Sequence, residues 1–288
     1  MNLFAPVLVP AVIGGLAWLV SWRLWNRSEP ARHGHWGGAL AFSAGYAAGH
    51  WILARPLYPP ATALHWLFYL MLAAGVLALF ERWWTTRTWI RWPVFAALCG
   101  VCLWLELGSM FEFTWSTSQA FLWPPALVLT ATIVWGLLDR LATKRPGVSL
   151  PWVLWLAAAA TSGALVLSRS ALQGQLAGTL AGISGAAVAL AFWLPRLSMS
   201  TGALTVFMTA YAGLLWQGHF YSELPLSCAV LLLAAPVAAW AGETPRVIAW
   251  PPWKATLMRL GCVAVPLAVA VGIALAVSLN SPTDDYSY

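Results

Sequence analysis

Runs of about 20 predominantly apolar residues recur along nearly the whole of this chain, and that recurrence constrains the fold more than any motif does. A run of that length is what a helix needs to cross a ~30 Å hydrocarbon core. Lipid offers the backbone no hydrogen-bond partner, so a chain that enters it repeatedly does so as helices or as a closed barrel, and runs this long select helices. Of the 288 residues, 61% are hydrophobic and 8% charged, whereas soluble domains carry roughly 25% charged residues. The connections between the runs are too short to fold by themselves. The expected fold is all-α, a polytopic integral membrane helical bundle forming a single domain over residues 1–288.

Apolar segments at 3–22, 36–54, 65–80, 92–110, 119–138, 150–168, 175–194, 201–218, 225–241 and 260–279 predict about ten transmembrane helices. An even number of spans puts both termini on one side. With this segmentation, all but Arg55 and Arg169 of the 15 Lys and Arg residues fall on the other side. That side is cytoplasmic by the positive-inside rule, which leaves both termini extracytoplasmic, together with an acidic tail at 280–288. The chain is thus expected in a bacterial-type cytoplasmic membrane. Met1 to Phe4 supply no positively charged lead-in, so the first run is expected to be a retained helix and not a cleaved signal.

Topology also accounts for the net charge of +6, which in a soluble chain would suggest nucleic acid; none is expected here. The expected partners are the lipid bilayer, anionic lipid at the cytoplasmic face, and another membrane protein or a second copy of the chain. Glu81–Arg91 and Arg246–Lys254 mix basic residues with tryptophan, as segments lying on anionic lipid do. The 21 tryptophans read first as belts at the headgroup level.

Small residues recur every four positions at Ala41, Gly45 and Gly49, and again at Gly174, Gly178, Gly182 and Ala186, a spacing that lets helix backbones approach closely. These stripes occupy the second and the seventh of the predicted helices. That placement suggests a five-plus-five inverted repeat, about 1–138 and 150–279, as in many secondary transporters. Pro236 and Pro266 are expected to kink the helices that contain them. Cys99, Cys102, Cys228 and Cys262 all fall inside apolar spans and say nothing about redox compartment.

One carboxylate falls inside a predicted span. Glu106 shares a stripe with Cys99, Cys102, Ser109 and Phe113 at helical spacing, about 20 Å along the helix from Trp92 at ~1.5 Å per residue. An intramembrane carboxylate is costly and is read by default as functional, here as a protonatable group in a water-accessible cavity. His50, His65, Arg169, Glu112, His219, Tyr221 and Glu223 are expected at a comparable depth. A helical His219 and Glu223 would stand four residues apart, a spacing that can hold a metal, although Pro225 biases Glu223 and Leu224 away from helix. His33 and His35 sit in a basic loop, where solvation is the default.

No phosphate-binding loop, nucleophile elbow or His-Glu-x-x-His motif appears, and no cofactor can be named. Three functions follow as expectations. The first is a transporter or permease for a small solute or ion, with an outward polar cavity using Glu106, Ser109, Arg169, His50 and His65. The second is a non-catalytic accessory or scaffold subunit of a membrane complex. The third is a membrane-embedded metal-dependent hydrolase using His50, His65, His219 and Glu223.

Overall fold

A computed structural model of the chain describes residues 5–25, 35–84, 88–145, 147–194, 197, 199 and 202–280. Among them every regular element is a helix. In order these are α1 (Ala5–Trp25), α2 (His35–Leu53), α3 (Ala63–Trp84), α4 (Thr88–Glu106), α5 (Gly108–Phe113), α6 (Thr117–Lys144), α7 (Ser149–Leu167), α8 (Ala171–Trp193), α9 (Ala203–Tyr221), α10 (Leu226–Ala234), α11 (Pro245–Ile248) and α12 (Pro252–Asn280), with a 3₁₀ segment, Ala235–Glu243, continuing α10. Arg27, Arg32, His33, Arg87, Arg196 and the tail from 281 lie outside the described residues.

Among the described residues seven helices are long and apolar enough to cross a membrane: α3, α4, α6, α7, α8, α10 with its 3₁₀ continuation, and α12. The apolar stretch of α1, Ala5–Ser21, is shorter, and α2 and α9 fall outside that set. For α9 the reason is its position. Every residue from Ala203 to Gly218 is buried, so α9 is enclosed by other helices and can carry Thr205, Thr209 and Gln217 on its faces. A helix wrapped in protein meets neighbouring side chains instead of acyl chains, and apolarity ceases to be obligatory.

Both small-residue stripes reach α1, although the second starts against α7, where Gly174 meets Ser162 and Val166. A methyl group added at Gly45 would stand 2.9 Å from the Pro10 carbonyl oxygen, and one at Gly182 would stand 2.6 Å from that of Val7. Helix α1 therefore packs against the glycine faces of α2 and α8. An edge-to-face aromatic row continues inward from Trp18 through Phe42 to Phe207, with ring centroids 6.0 and 5.7 Å apart, and Phe207 stacks on Tyr211 at 5.3 Å. The row ties α1 and α2 to the central helix.

The prolines behave unequally. Pro236 marks the change from α to 3₁₀ geometry after α10, whereas Pro266 lies inside a continuous α12. A more consequential break falls in the predicted 92–110 span. There α4 ends at Glu106, Leu107 leaves helical geometry, and the short α5 sets off from Gly108. The Met110 amide donates to the Leu107 carbonyl, so the Glu106 carbonyl loses its usual helical donor. The stripe expected to run on to Phe113 ends at the break: Cys99, Cys102 and Glu106 are buried, and Phe113 is 83% exposed. Ser116 then starts α6 with a capping box, its hydroxyl accepting from the Gln119 amide and the Gln119 side chain accepting from the Ser116 amide.

Candidate functional site

The site lies at the end of the bundle where α4 and α9 finish and α3 and α8 begin. A cavity of about 570 Å³ is lined there by Thr62, Trp66, Glu106, Ser109, Glu112, Gln173, Gln217 and Tyr221, among others. Glu106 is the innermost charge, 2% exposed. Its Oε2 accepts from Nε2 of Gln217 at 3.0 Å, while its Oε1 is buried with no hydrogen-bond partner.

Three local features hold this carboxyl group. The break after Glu106 frees its backbone carbonyl, which accepts from the Tyr221 hydroxyl at 2.8 Å, and Tyr221 in turn accepts from Ser109 at 2.8 Å. Gln217 is fixed by a second bond, from its amide nitrogen to the Ala63 carbonyl at 3.3 Å. Gly213, one turn before Gln217, provides the space: an added methyl group would stand 2.9 Å from each Glu106 oxygen. Real Cβ atoms essentially never come that close to another atom. The carboxyl thus lies flat against the backbone of the most buried helix in the bundle.

Behind it runs a second set of unsatisfied groups. Ser43, Tyr46 and His50 share one face of α2, and the Ser43 hydroxyl, the Tyr46 hydroxyl and both His50 ring nitrogens are buried without partners. Tyr46 lies within electrostatic reach of Glu106, and its ring is 5.9 Å from that of His50. Gln217 also keeps an unpartnered Oε1. Buried polar atoms are nearly always paired, so Glu106 Oε1 and Gln217 Oε1, both orphaned on residues of the cavity wall, are the groups placed to serve water or a ligand.

No protein-family model and no curated protein matches the chain.

The other predicted residues divide into those that join the site and those that do not. Ser109 lines the cavity with Glu106, and so does Glu112. His50 lies fully buried on α2, and His65 caps the turn before α3, its Nδ1 accepting from the Ala61 amide at 3.3 Å; neither lines the cavity. Arg169 reaches Glu223 across 3.3 Å in an exposed pair. His219 Nδ1 bonds the Leu224 carbonyl at 3.0 Å. Since α9 stops at Tyr221, ahead of Pro225, Glu223 is not on the helix of His219. Among the described residues no group of three or more His, Cys, Asp or Glu could hold a metal ion.

Sequence reasoning missed Gln173, Gly213, Gln217 and Tyr46. A signal existed in Gly213-x-x-x-Gln217, a gap and an amide on one helix face. It also missed a buried charge cluster at the opposite end of the bundle. Arg91, 7% exposed, makes paired bonds to Asp139, both at 2.9 Å, and bonds Glu81 at 2.6 and 3.1 Å. The second oxygen of Glu81 accepts from the Gly202 amide at 2.6 Å and from Thr205 at 3.1 Å, and the guanidinium lies 5.4 Å over the Trp135 ring.

Proposed function

We propose that the chain is a membrane transporter or permease for a small solute or ion, with Glu106 as the group that takes up a proton or a cation. The observation that carries this reading is a nearly fully buried carboxyl with one unpartnered oxygen at the wall of a 570 Å³ cavity. The lining adds a second carboxylate, Glu112, two amides and several hydroxyls, and among the described residues no Lys or Arg. Such a wall favours a proton, a small cation or a protonated amine over an anion. Arg169, which pairs with Glu223 and is not among the lining residues, takes no role in this reading. His50 and Tyr46 extend the polar row from Glu106 into the bundle, the arrangement expected of a hydrated path.

In this reading the ten long helical runs all cross the membrane, in two inverted halves, with both termini and the cavity mouth on the extracytoplasmic side. Helices α2 and α9, the less apolar two, are the ones that line or back the path. Reconstituted in vesicles holding a pH-sensitive dye, the protein should dissipate an imposed pH gradient when a member of a panel of monovalent cations and small amines is supplied. Glu106→Gln should abolish that flux while keeping the elution profile and thermal unfolding of the parent. Unchanged flux would remove Glu106 from the mechanism. Absence of flux with the whole panel, together with stable co-purification of one membrane protein, would favour the scaffold reading.

A further inference from the structure

A second polar cavity, of about 430 Å³, lies at the opposite end of the bundle, framed by the end of α6, the start of α7, the end of α8 and the first turns of α12. Arg145, Ser149, Thr256 and Arg259 line it, and Phe192, Ile248 and Trp250 form part of its wall. Arg259 is 5% exposed. It donates through Nη2 to Glu243 at 2.8 Å and to the Gly242 carbonyl at 3.3 Å, and through Nη1 to Ser149 at 3.3 Å; its Nε is buried and unpartnered. Arg145 bonds the same Glu243 carboxylate through Nε alone, at 3.0 and 3.2 Å, with its side chain 36% exposed.

Two guanidinium groups therefore share one carboxylate. No carboxylate among the described lining residues faces the cavity, so the two guanidinium groups carry one positive charge more than Glu243 neutralises, with Arg259 buried and Arg145 partly exposed. A guanidinium charge left over after its neighbouring carboxylate is shared is what a bound anion would neutralise. The terminal nitrogens of Arg145 form a fork suited to a tetrahedral oxyanion. The first turn of the 19-residue α7, beginning at Ser149, adds partial positive charge from the same side. The other wall is hydrocarbon: Phe192 is 64%, Ile248 47% and Trp250 45% exposed. Arg246 and Lys254 are exposed on the adjoining stretch.

We propose that the Arg145–Arg259 cavity binds a phosphate group, with the guanidinium fork on its oxygens and one donor from the Ser149–Thr256 hydroxyl pair, which bond each other at 2.9 Å. The exposed apolar wall suits the acyl chains of a phospholipid, and free phosphate is the other source of the same chemistry. The inference stands apart from the Glu106 reading and uses none of its residues.

The test uses the full chain, purified in detergent and stripped of lipid, with thermal unfolding followed as dioleoyl phosphatidylglycerol, dioleoylglycerol or inorganic phosphate is added. Phosphatidylglycerol should raise the unfolding temperature saturably, and dioleoylglycerol, which lacks the phosphate, should not. Arg145→Gln should weaken the apparent affinity about tenfold, near 1.4 kcal/mol, with Arg145→Lys intermediate. A saturable shift with inorganic phosphate alone would support the site and identify its ligand as soluble phosphate. Equal shifts from the two lipids, or no shift from either phosphate source, would overturn the proposal; both read on the unsubstituted protein, so neither depends on a variant folding.

Discussion

Two buried carboxylates flank the central helix α9 at its opposite ends, roughly 18 Å apart along its axis at ~1.5 Å per residue between Thr205 and Gln217, and their surroundings differ in kind. Glu81 has both oxygens occupied, by Arg91 on one side and by the Gly202 amide and Thr205 on the other. Glu106 has one oxygen bonded to a neutral amide and one with no partner. The space beside them differs as well: about 20 Å³ next to Glu81 and Arg91, and about 570 Å³ next to Glu106. A charge that is fully paired in a closed space locks helices together. A half-paired carboxyl against an open cavity retains capacity for something else, and that contrast separates the structural end of α9 from the end read here as working.

The comparison can be broken most decisively at Arg91. Arg91→Gln leaves Glu81 and Asp139 buried without their shared cation, a loss of about 3–5 kcal/mol by analogy with other broken buried pairs. It should appear as a large fall in unfolding temperature or as failure to purify a monodisperse protein. A variant as stable as the parent would show that the paired end does not hold the bundle. The contrast is sharpened at Gly213, where Gly213→Ala forces a methyl group onto the Glu106 carboxyl and Leu67. The expected outcome is a stability loss of about 1–3 kcal/mol with cation-driven flux falling far more than stability does. Flux that survives would mean the position of the carboxyl against α9 is immaterial. The smallest effect is expected at the exposed Arg169–Glu223 pair: Arg169→Ala should change unfolding by less than about 1 kcal/mol and leave flux intact. A loss of flux there would bring Arg169 back into the site.

Much of the architecture was readable from composition and hydropathy. The all-helical class, the positions of the long helices and the packing role of the glycine stripes depend on local sequence, because lipid forces backbone pairing inside each helix and close packing needs small residues at fixed spacing. Glu106 was singled out on the same grounds. The rest of the site was less legible. Gln217, Gln173 and Tyr46 are ordinary polar residues until they are seen facing an unpartnered carboxyl. Ser109 was expected on an unbroken helix, and the turn at Leu107 instead delivers it to Tyr221. Arg91 and Glu81 looked like members of an interfacial basic stretch, and only the approach of α6 and α9 turns them into a closed ion cluster.

The sequence by itself determined that this chain is a bundle of apolar helices, where its charges are rare, and which single acidic residue falls inside a predicted span. Those are one-dimensional properties, set by run length and by the energy of placing charge in lipid. Only the tertiary structure decided which charges meet. It enclosed α9, leaving Glu106 half-satisfied at a cavity and Glu81 fully bonded. Ion pairing and cavity formation depend on side chains as far apart in the chain as Thr62 and Tyr221, which line the Glu106 cavity together, and no local pattern records that distance.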